Sequence, residues 1–104
     1  MSPPKIAVIV QFTAHAGHRD ALVAAFAPMF DQVAGEPGTE VYSLHLDTLD
    51  DDVIWLFQVY ADEASMNAHS TSDVARAANT DIRQYSAARV ITVLHPQRAK
   101  GLVL

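Results

Sequence analysis

The sequence predicts an α+β fold in which an antiparallel sheet carries helices on one face. Runs of β-branched and aromatic residues alternate with two segments whose apolar residues recur at helical spacing. Glycine, proline and aspartate separate these segments. The resulting order is strand, helix, strand, strand, helix, strand, which is the ferredoxin-like βαββαβ order.

Composition limits the classes of partner. A chain of 104 residues, half of them apolar, predicts one domain over residues 1–104 with a small core. The net charge of −5 and the lack of a basic cluster disfavour nucleic acid and acidic membranes. The apolar run Ile6–Val10 is too short for a signal peptide or a membrane span. The absence of cysteine suits a reducing compartment, so we expect a cytoplasmic protein.

The first half of the chain predicts one strand and one interrupted helix. The strand covers Ile6–Phe12, and the helix runs from about His18 to Val33. Residues at helical spacing predict a buried stripe on this helix, namely Leu22, Phe26, Met29, Phe30 and Val33. Pro28 removes a backbone donor and crowds the carbonyl of Ala24, so we predict a kink or break at Ala24–Pro28.

The second half predicts a hairpin, two helical pieces and a last strand. Asp62 is a plausible N-cap of the first piece, and Ser72 or Asp73 of the second. The predicted elements are strands Thr39–Asp47 and Val53–Tyr60, helices Ala61–Ser70 and Asp73–Gln84, and strand Arg89–Leu94.

Three strand segments lack the alternation expected of a sheet with one wet face. They are Ile6–Val10, Val53–Phe57 and Val90–Leu94. Helices can cover only one face of this fold, so we expect a second copy of the chain on the other. Trp55 and Phe57 are assigned to that subunit interface, and the tail 96–104 is expected to pack on the partner subunit.

The stretch after the hairpin carries a family resemblance. The apolar strand ends in Gln58 and Tyr60, and Asp62-Glu63, a short helix and Ala68-His69 follow. Together with Gly17 before the first helix and Glu36-Pro37-Gly38 before the second strand, this pattern resembles the antibiotic biosynthesis monooxygenase (ABM) family. The resemblance implies a ferredoxin-like subunit paired into a dimeric α/β barrel. Members of the family include cofactor-free monooxygenases, quinol oxidisers, haem degraders and a signal-molecule isomerase.

His69 is the leading candidate for chemistry. Gln58 and Tyr60 share strand parity, and a helix folded back over their face would bring His69 near both. The imidazole could hold or pass a proton near neutral pH, or it could be a structural histidine at a helix end. Gln58 and Tyr60 could cap a buried strand, although a buried amide needs a hydrogen-bond partner.

Several family functions are disfavoured by individual residues. Many relatives carry Glu where Gln58 stands, and a second histidine where Val74 stands. The residues used by the haem-degrading branch fall on Asn79, Val10 and Tyr60, none of which has the required type. The sequence contains no flavin, nicotinamide or phosphate-loop motif, and His15 and His18 suit a solvated loop better than a metal pair. We therefore expect neither a cofactor nor a metal.

The first interpretation is a cofactor-independent monooxygenase-like enzyme acting on a quinol, phenol or polyketide-type aromatic. His69 would accept a proton or orient the substrate, and Gln58 and Tyr60 would form hydrogen bonds to it. Asn79 or Arg83 would line the mouth of the pocket. Two alternatives are a non-catalytic ligand-binding or stress-response dimer and an isomerase of a small hydroxyketone.

Overall fold

The computed structural model describes residues 3–104, which form a four-stranded antiparallel sheet with helices packed on one face. The elements are β1 (Ile6–Ala14), α1 (Arg19–Ala25), α2 (Ala27–Val33), β2 (Thr39–Leu46), β3 (Val53–Tyr60), α3 (Glu63–Ser70), α4 (Asp73–Tyr85) and β4 (Ser86–Leu94). The strand order is β2-β3-β1-β4, and every neighbouring pair is antiparallel. The predicted ferredoxin-like α+β fold is confirmed. Across residues 3–104, none of the helices has the length and apolarity needed to cross a bilayer.

The predicted break in the first helix is confirmed, since α1 and α2 are separate helices joined at Phe26. Pro28 lies in the first turn of α2, where its missing N–H would have had no helical acceptor. The backbone N–H of Met29 instead donates to the carbonyl of Phe26 at 2.9 Å. The Phe26 ring packs edge-on against Phe12 of β1, with centroids 5.3 Å apart, and this contact holds the joint on the sheet.

The edge strand β4 begins at Ser86, earlier than the predicted Arg89. Ser86, Ala87 and Ala88 have low strand propensity, so sequence reasoning left them out. The extension of β1 to Ala14 supplies their pairing partners, because Ala14 pairs with Ser86 across a register shift. Tertiary pairing therefore sets this boundary.

Side-chain caps orient the two helices that follow β3. The carboxylate of Asp62 accepts a hydrogen bond from the backbone N–H of Ser65 at 2.7 Å, as its predicted N-cap role requires. The hydroxyl of Ser72 caps α4 through the backbone N–H of Ala75 at 3.1 Å. These caps define the turns that place the end of α3 and the apolar side of α4 over the sheet.

The core lies between the helices and one face of the sheet. Residues of matching parity on β1 and β3 pack there against α1, α2 and α4, and they include Val8, Val10, Phe12, Ile54, Leu56 and Tyr60. The opposite face carries exposed apolar side chains in Phe57, Val90 and Leu94. Trp55 and Phe57 lie on this opposite face, as their parity predicted.

Candidate functional site

A cavity of about 240 Å³, called the main cavity below, lies between the sheet and helices α2, α3 and α4. Most of its wall is apolar, with contributions that include Val8, Val10, Phe12, Phe26, Met29, Leu56, Ile91 and Val93. Its polar lining consists of Tyr42, Gln58, Tyr60, His69, Ser70, Asn79 and Arg89. The main cavity can therefore accept an apolar body whose polar groups sit at defined places.

Strand β3 brings Gln58 and Tyr60 to the main cavity on its helix-facing side. Both side chains are buried, and the hydroxyl of Tyr60 donates a hydrogen bond to Oε1 of Gln58. This contact supplies the partner that the buried amide needs and fixes its orientation. The amide nitrogen of Gln58 makes no hydrogen bond with any of residues 3–104, so it is available to a ligand.

The end of α3 places His69 against the same polar wall. Its side chain is 6% exposed, and its ring packs near two tyrosine rings. The centroid distances are 5.3 Å to Tyr42 and 5.6 Å to Tyr60. The predicted approach of α3 to the face carrying Gln58 and Tyr60 is thus present in the structure.

Glu36, in the turn between α2 and β2, contacts one nitrogen of the histidine ring. Its Oε1 lies 2.8 Å from Nδ1 of His69. Thr39 donates a hydrogen bond to the same oxygen at 2.8 Å, and Gln32 donates to Oε2 at 3.2 Å. The carboxylate is therefore held by three side chains from α2, β2 and α3.

Gly38 lets this turn approach α3 closely. Its carbonyl accepts a hydrogen bond from the backbone N–H of Ala61 at 2.9 Å. A Cβ at this position would lie only 2.2 Å from Oγ and 2.6 Å from Cβ of Ser65. The turn carrying Glu36 can reach His69 because position 38 has no side chain.

The hydrogen bonds around Glu36 favour its ionised form. Burial acts to raise the pKa of its carboxyl, but the contacts with His69, Thr39 and Gln32 outweigh burial and lower the pKa below its ordinary value. Because this pKa is lower in the folded chain, ionised Glu36 contributes stability above the unfolded pKa. That contribution is lost as the pH falls through the folded pKa.

The two tyrosines of the polar wall are held protonated. Burial raises the pKa of Tyr42, and the negative charge of Glu36 raises it further. Burial likewise raises the pKa of Tyr60, with additional contributions from Tyr42 and Glu36. Near neutral pH both phenols therefore act as hydrogen-bond donors and not as bases.

The mouth of the main cavity only partly matches the sequence prediction. Asn79 on α4 lines it, as expected. Arg83 lies outside it. Arg83 follows the buried Ile82 by one position, so the turn of the helix directs its side chain toward solvent. Arg83 borders a separate depression of about 190 Å³ instead, and Arg89 of β4 lines both. Arg89 is thus the cation of the mouth.

Three residues of the site were missed from the sequence, namely Glu36, Tyr42 and Arg89. In the sequence Glu36 is recognisable only as part of a turn motif, because nothing there joins it to a histidine 33 positions away. Tyr42 had the correct parity with Leu44, which would have placed it on the core face. Arg89 is the first residue of the predicted last strand, and the sequence does not indicate which face of the sheet its side chain is on.

The remaining histidines and carboxylates do not form a metal site within residues 3–104, where no three ligating side chains come together. His15 and His18 are both exposed, and His18 stacks on Tyr85 with centroids 6.2 Å apart. This placement agrees with the solvated loop favoured from the sequence.

Comparison with known families gives a match over most of the chain. The sequence profile of the family described as antibiotic biosynthesis monooxygenase matches residues 5–81. No curated protein gives a significant sequence match.

Solved structures similar to this chain have the same fold over nearly their whole length. A candidate antibiotic biosynthesis monooxygenase from Caulobacter crescentus is 23% identical, covers 92% of each chain and has a TM-score of 0.86. Another from Chloroflexus aurantiacus is 26% identical, covers 93% of this chain and 97% of that one, and has a TM-score of 0.81. SnoaB of Streptomyces nogalater, described as a cofactor-independent oxygenase, is 16% identical, covers 95% and 99%, and has a TM-score of 0.84.

Proposed function

This chain belongs to the antibiotic biosynthesis monooxygenase family, and from that membership we propose that it is a cofactor-independent monooxygenase acting on a quinol, phenol or polyketide-type aromatic. The proposal rests on the polar wall of the otherwise apolar main cavity, where His69, Gln58 and Tyr42 converge. The shared fold of SnoaB, described as a cofactor-independent oxygenase, supports it.

The size of the main cavity favours a single aromatic ring. An engineered apolar cavity of about 150 Å³ in another protein binds benzene. About 240 Å³ therefore accommodates one ring with oxygen substituents. A larger polycyclic substrate would extend through the open side along β4, where Ile91 and Val93 line the cavity and are also exposed.

The polar wall suits deprotonation of a substrate hydroxyl. The hydroxyl proton would pass to the free ring nitrogen, Nε2, of His69. The oxyanion that forms would accept hydrogen bonds from the amide of Gln58 and the hydroxyl of Tyr42, a stabilisation that strengthens as charge develops. Electrons from this anion would reduce dioxygen, so that one oxygen atom joins the ring and the other leaves as water. A quinol would thereby become a hydroxylated quinone.

The amide side chain of Gln58 favours a second candidate function. An amide cannot act as a base, and its Oε1 is already engaged by Tyr60. A chain without a carboxylate there could have lost catalysis and serve as a non-catalytic ligand-binding or stress-response dimer. Isomerisation of a small hydroxyketone is a further option, since it requires only acid–base residues such as His69.

Dioxygen uptake distinguishes these candidates. We expect the purified protein to consume dioxygen with a one-ring quinol, at a rate proportional to protein concentration and in equimolar ratio with quinol loss. The rate of autoxidation is measured with heat-denatured protein and subtracted. Mass spectrometry identifies the product. Uptake at the autoxidation rate across a panel of quinols and phenols would reject the monooxygenase, and conversion of a hydroxyketone under the same conditions would favour the isomerase.

The uncovered face of the sheet supports a homodimer. Phe57 is 36% exposed there, Val90 58% and Leu94 43%, and several exposed apolar side chains on one sheet face are typical of an interaction surface. A second copy would cover this face, and the tail, in which Val103 is 85% exposed, could pack on the partner.

We expect light scattering after size exclusion to give the mass of a dimer at micromolar concentration. Phe57→Glu places a charge at the centre of the proposed interface and should shift the protein toward a monomer. Glu40→Gln, at an exposed position on β2, serves as the control and should leave the mass unchanged. A monomeric mass for the unmodified protein would contradict the dimer.

A further inference from the structure

The carboxylate of Glu36 is oriented before any ligand arrives. Its side chain is 17% exposed, and both oxygens are engaged by neighbouring side chains. Thr39 and Gln32 act as donors to it, which fixes the plane of the carboxylate. The remaining contact, at 2.8 Å, is to Nδ1 of His69.

This arrangement dictates which ring nitrogen of His69 carries the proton. An ionised carboxylate is only an acceptor, so Nδ1 must donate. In the neutral ring Nε2 then carries the lone pair. Nε2 makes no hydrogen bond with any of residues 3–104. Every fully buried side-chain nitrogen or oxygen in that range has a hydrogen-bond partner, so Nε2 is not fully buried. The lone pair is therefore accessible from the main cavity.

We infer that Glu36 is the positioning residue of His69, holding its ring in the Nδ1-protonated tautomer with Nε2 as the acceptor that faces the main cavity. After Nε2 accepts a proton, the same carboxylate stabilises the imidazolium. This role rests on the proposed function for the identity of the proton donor, which is the substrate hydroxyl. The tautomer itself requires no substrate.

This tautomer also selects the ligand group at the polar wall. Nε2 accepts a hydrogen bond, while Tyr42 and the amide nitrogen of Gln58 donate. A hydroxyl group meets both requirements, because its hydrogen is donated to Nε2 and its oxygen accepts from the other two. An ether or a ketone oxygen would leave Nε2 without a donor, so phenols and enols should bind in preference to their methyl ethers.

Nitrogen NMR of protein labelled in its histidine rings tests the tautomer directly. In spectra recorded at a pH where the ring is neutral, we expect the His69 signals to show a protonated Nδ1 and an unprotonated Nε2. Glu36→Met removes the acceptor and should shift His69 toward the Nε2-protonated form. Glu40→Met removes a glutamate bonded to Lys5 and should leave the His69 signals unchanged. The signals are assigned from their loss in His69→Asn.

The inference is overturned if His69 carries its proton on Nε2 in the unmodified protein, or if Glu36→Met leaves the tautomer as it was. The spectrum of the unmodified protein decides the first point even where the variant fails to fold. The expected tautomer together with no quinol turnover would reject the proposed function and leave the positioning role standing. If quinol is turned over, Glu36→Met should lower kcat by about a hundredfold.

Discussion

Replacing His69 by alanine is expected to lower dioxygen uptake with a quinol by roughly a hundredfold to ten-thousandfold, the usual effect of a positioned general base. The same change should also destabilise the fold, because the partly buried carboxylate of Glu36 loses the contact 2.8 Å away and keeps only those with Thr39 and Gln32. A hydrogen bond to a charged group contributes about 1.5–3 kcal/mol.

His69→Asn separates the two effects. The asparagine amide can still donate a hydrogen bond toward Glu36, but it offers no nitrogen lone pair to the substrate. We therefore expect near-normal urea denaturation together with the full loss of turnover. His15→Asn, at an exposed position in the loop after β1, is the control and should change neither. Normal turnover in His69→Asn would show that the ring is structural, and ligand affinity would then be the relevant measurement.

Gly38→Ala is expected to destabilise the fold by about 1–3 kcal/mol, as overpacking of a tight contact generally does. The added Cβ would fall 2.2 Å from Oγ of Ser65, so the turn or α3 must move. Gly38 does not have a positive φ, so the cost comes from space and not from backbone conformation. Movement of this turn would also displace Glu36 from His69 and reduce turnover.

Two variants isolate the steric effect in urea denaturation. Gly35→Ala changes a glycine of the same turn whose added Cβ would meet only the carbonyl of Gln32 at 3.7 Å, an ordinary contact, so its stability should be preserved. Ser65→Gly removes both atoms that clash with the new Cβ, and combining it with Gly38→Ala should recover stability relative to the sum of the single changes. Equal stability of Gly38→Ala and Gly35→Ala would refute the close-approach explanation.

The sequence predicted those features that depend on neighbouring residues. The bounds of β3 were obtained correctly because an apolar run lies between two sets of turn residues. The break near Pro28 and the cap at Asp62 follow from local backbone chemistry. The shared face of Gln58 and Tyr60 follows from strand parity alone.

Features that depend on distant partners could not be obtained in this way. The contact between Glu36 and His69 joins residues 33 positions apart, and one of them lies in a turn whose path only the packed fold determines. The start of β4 depends on pairing with Ala14. Arg83 is kept out of the mouth by the rotation of α4, which a one-residue difference changes by about 100°, whereas Arg89 lines the cavity from β4.

The helical side of the main cavity is made partly of very short helices. α2 has seven residues and α3 has eight, whereas isolated helices shorter than about 12–15 residues are marginal in water. These two helices persist because they pack on the sheet, so their amide hydrogens should exchange through local openings that leave the strands paired. Such openings would give a ligand a way into the cavity that does not disturb Gln58 and Tyr60, because these two residues belong to β3, which is paired on both sides by β2 and β1.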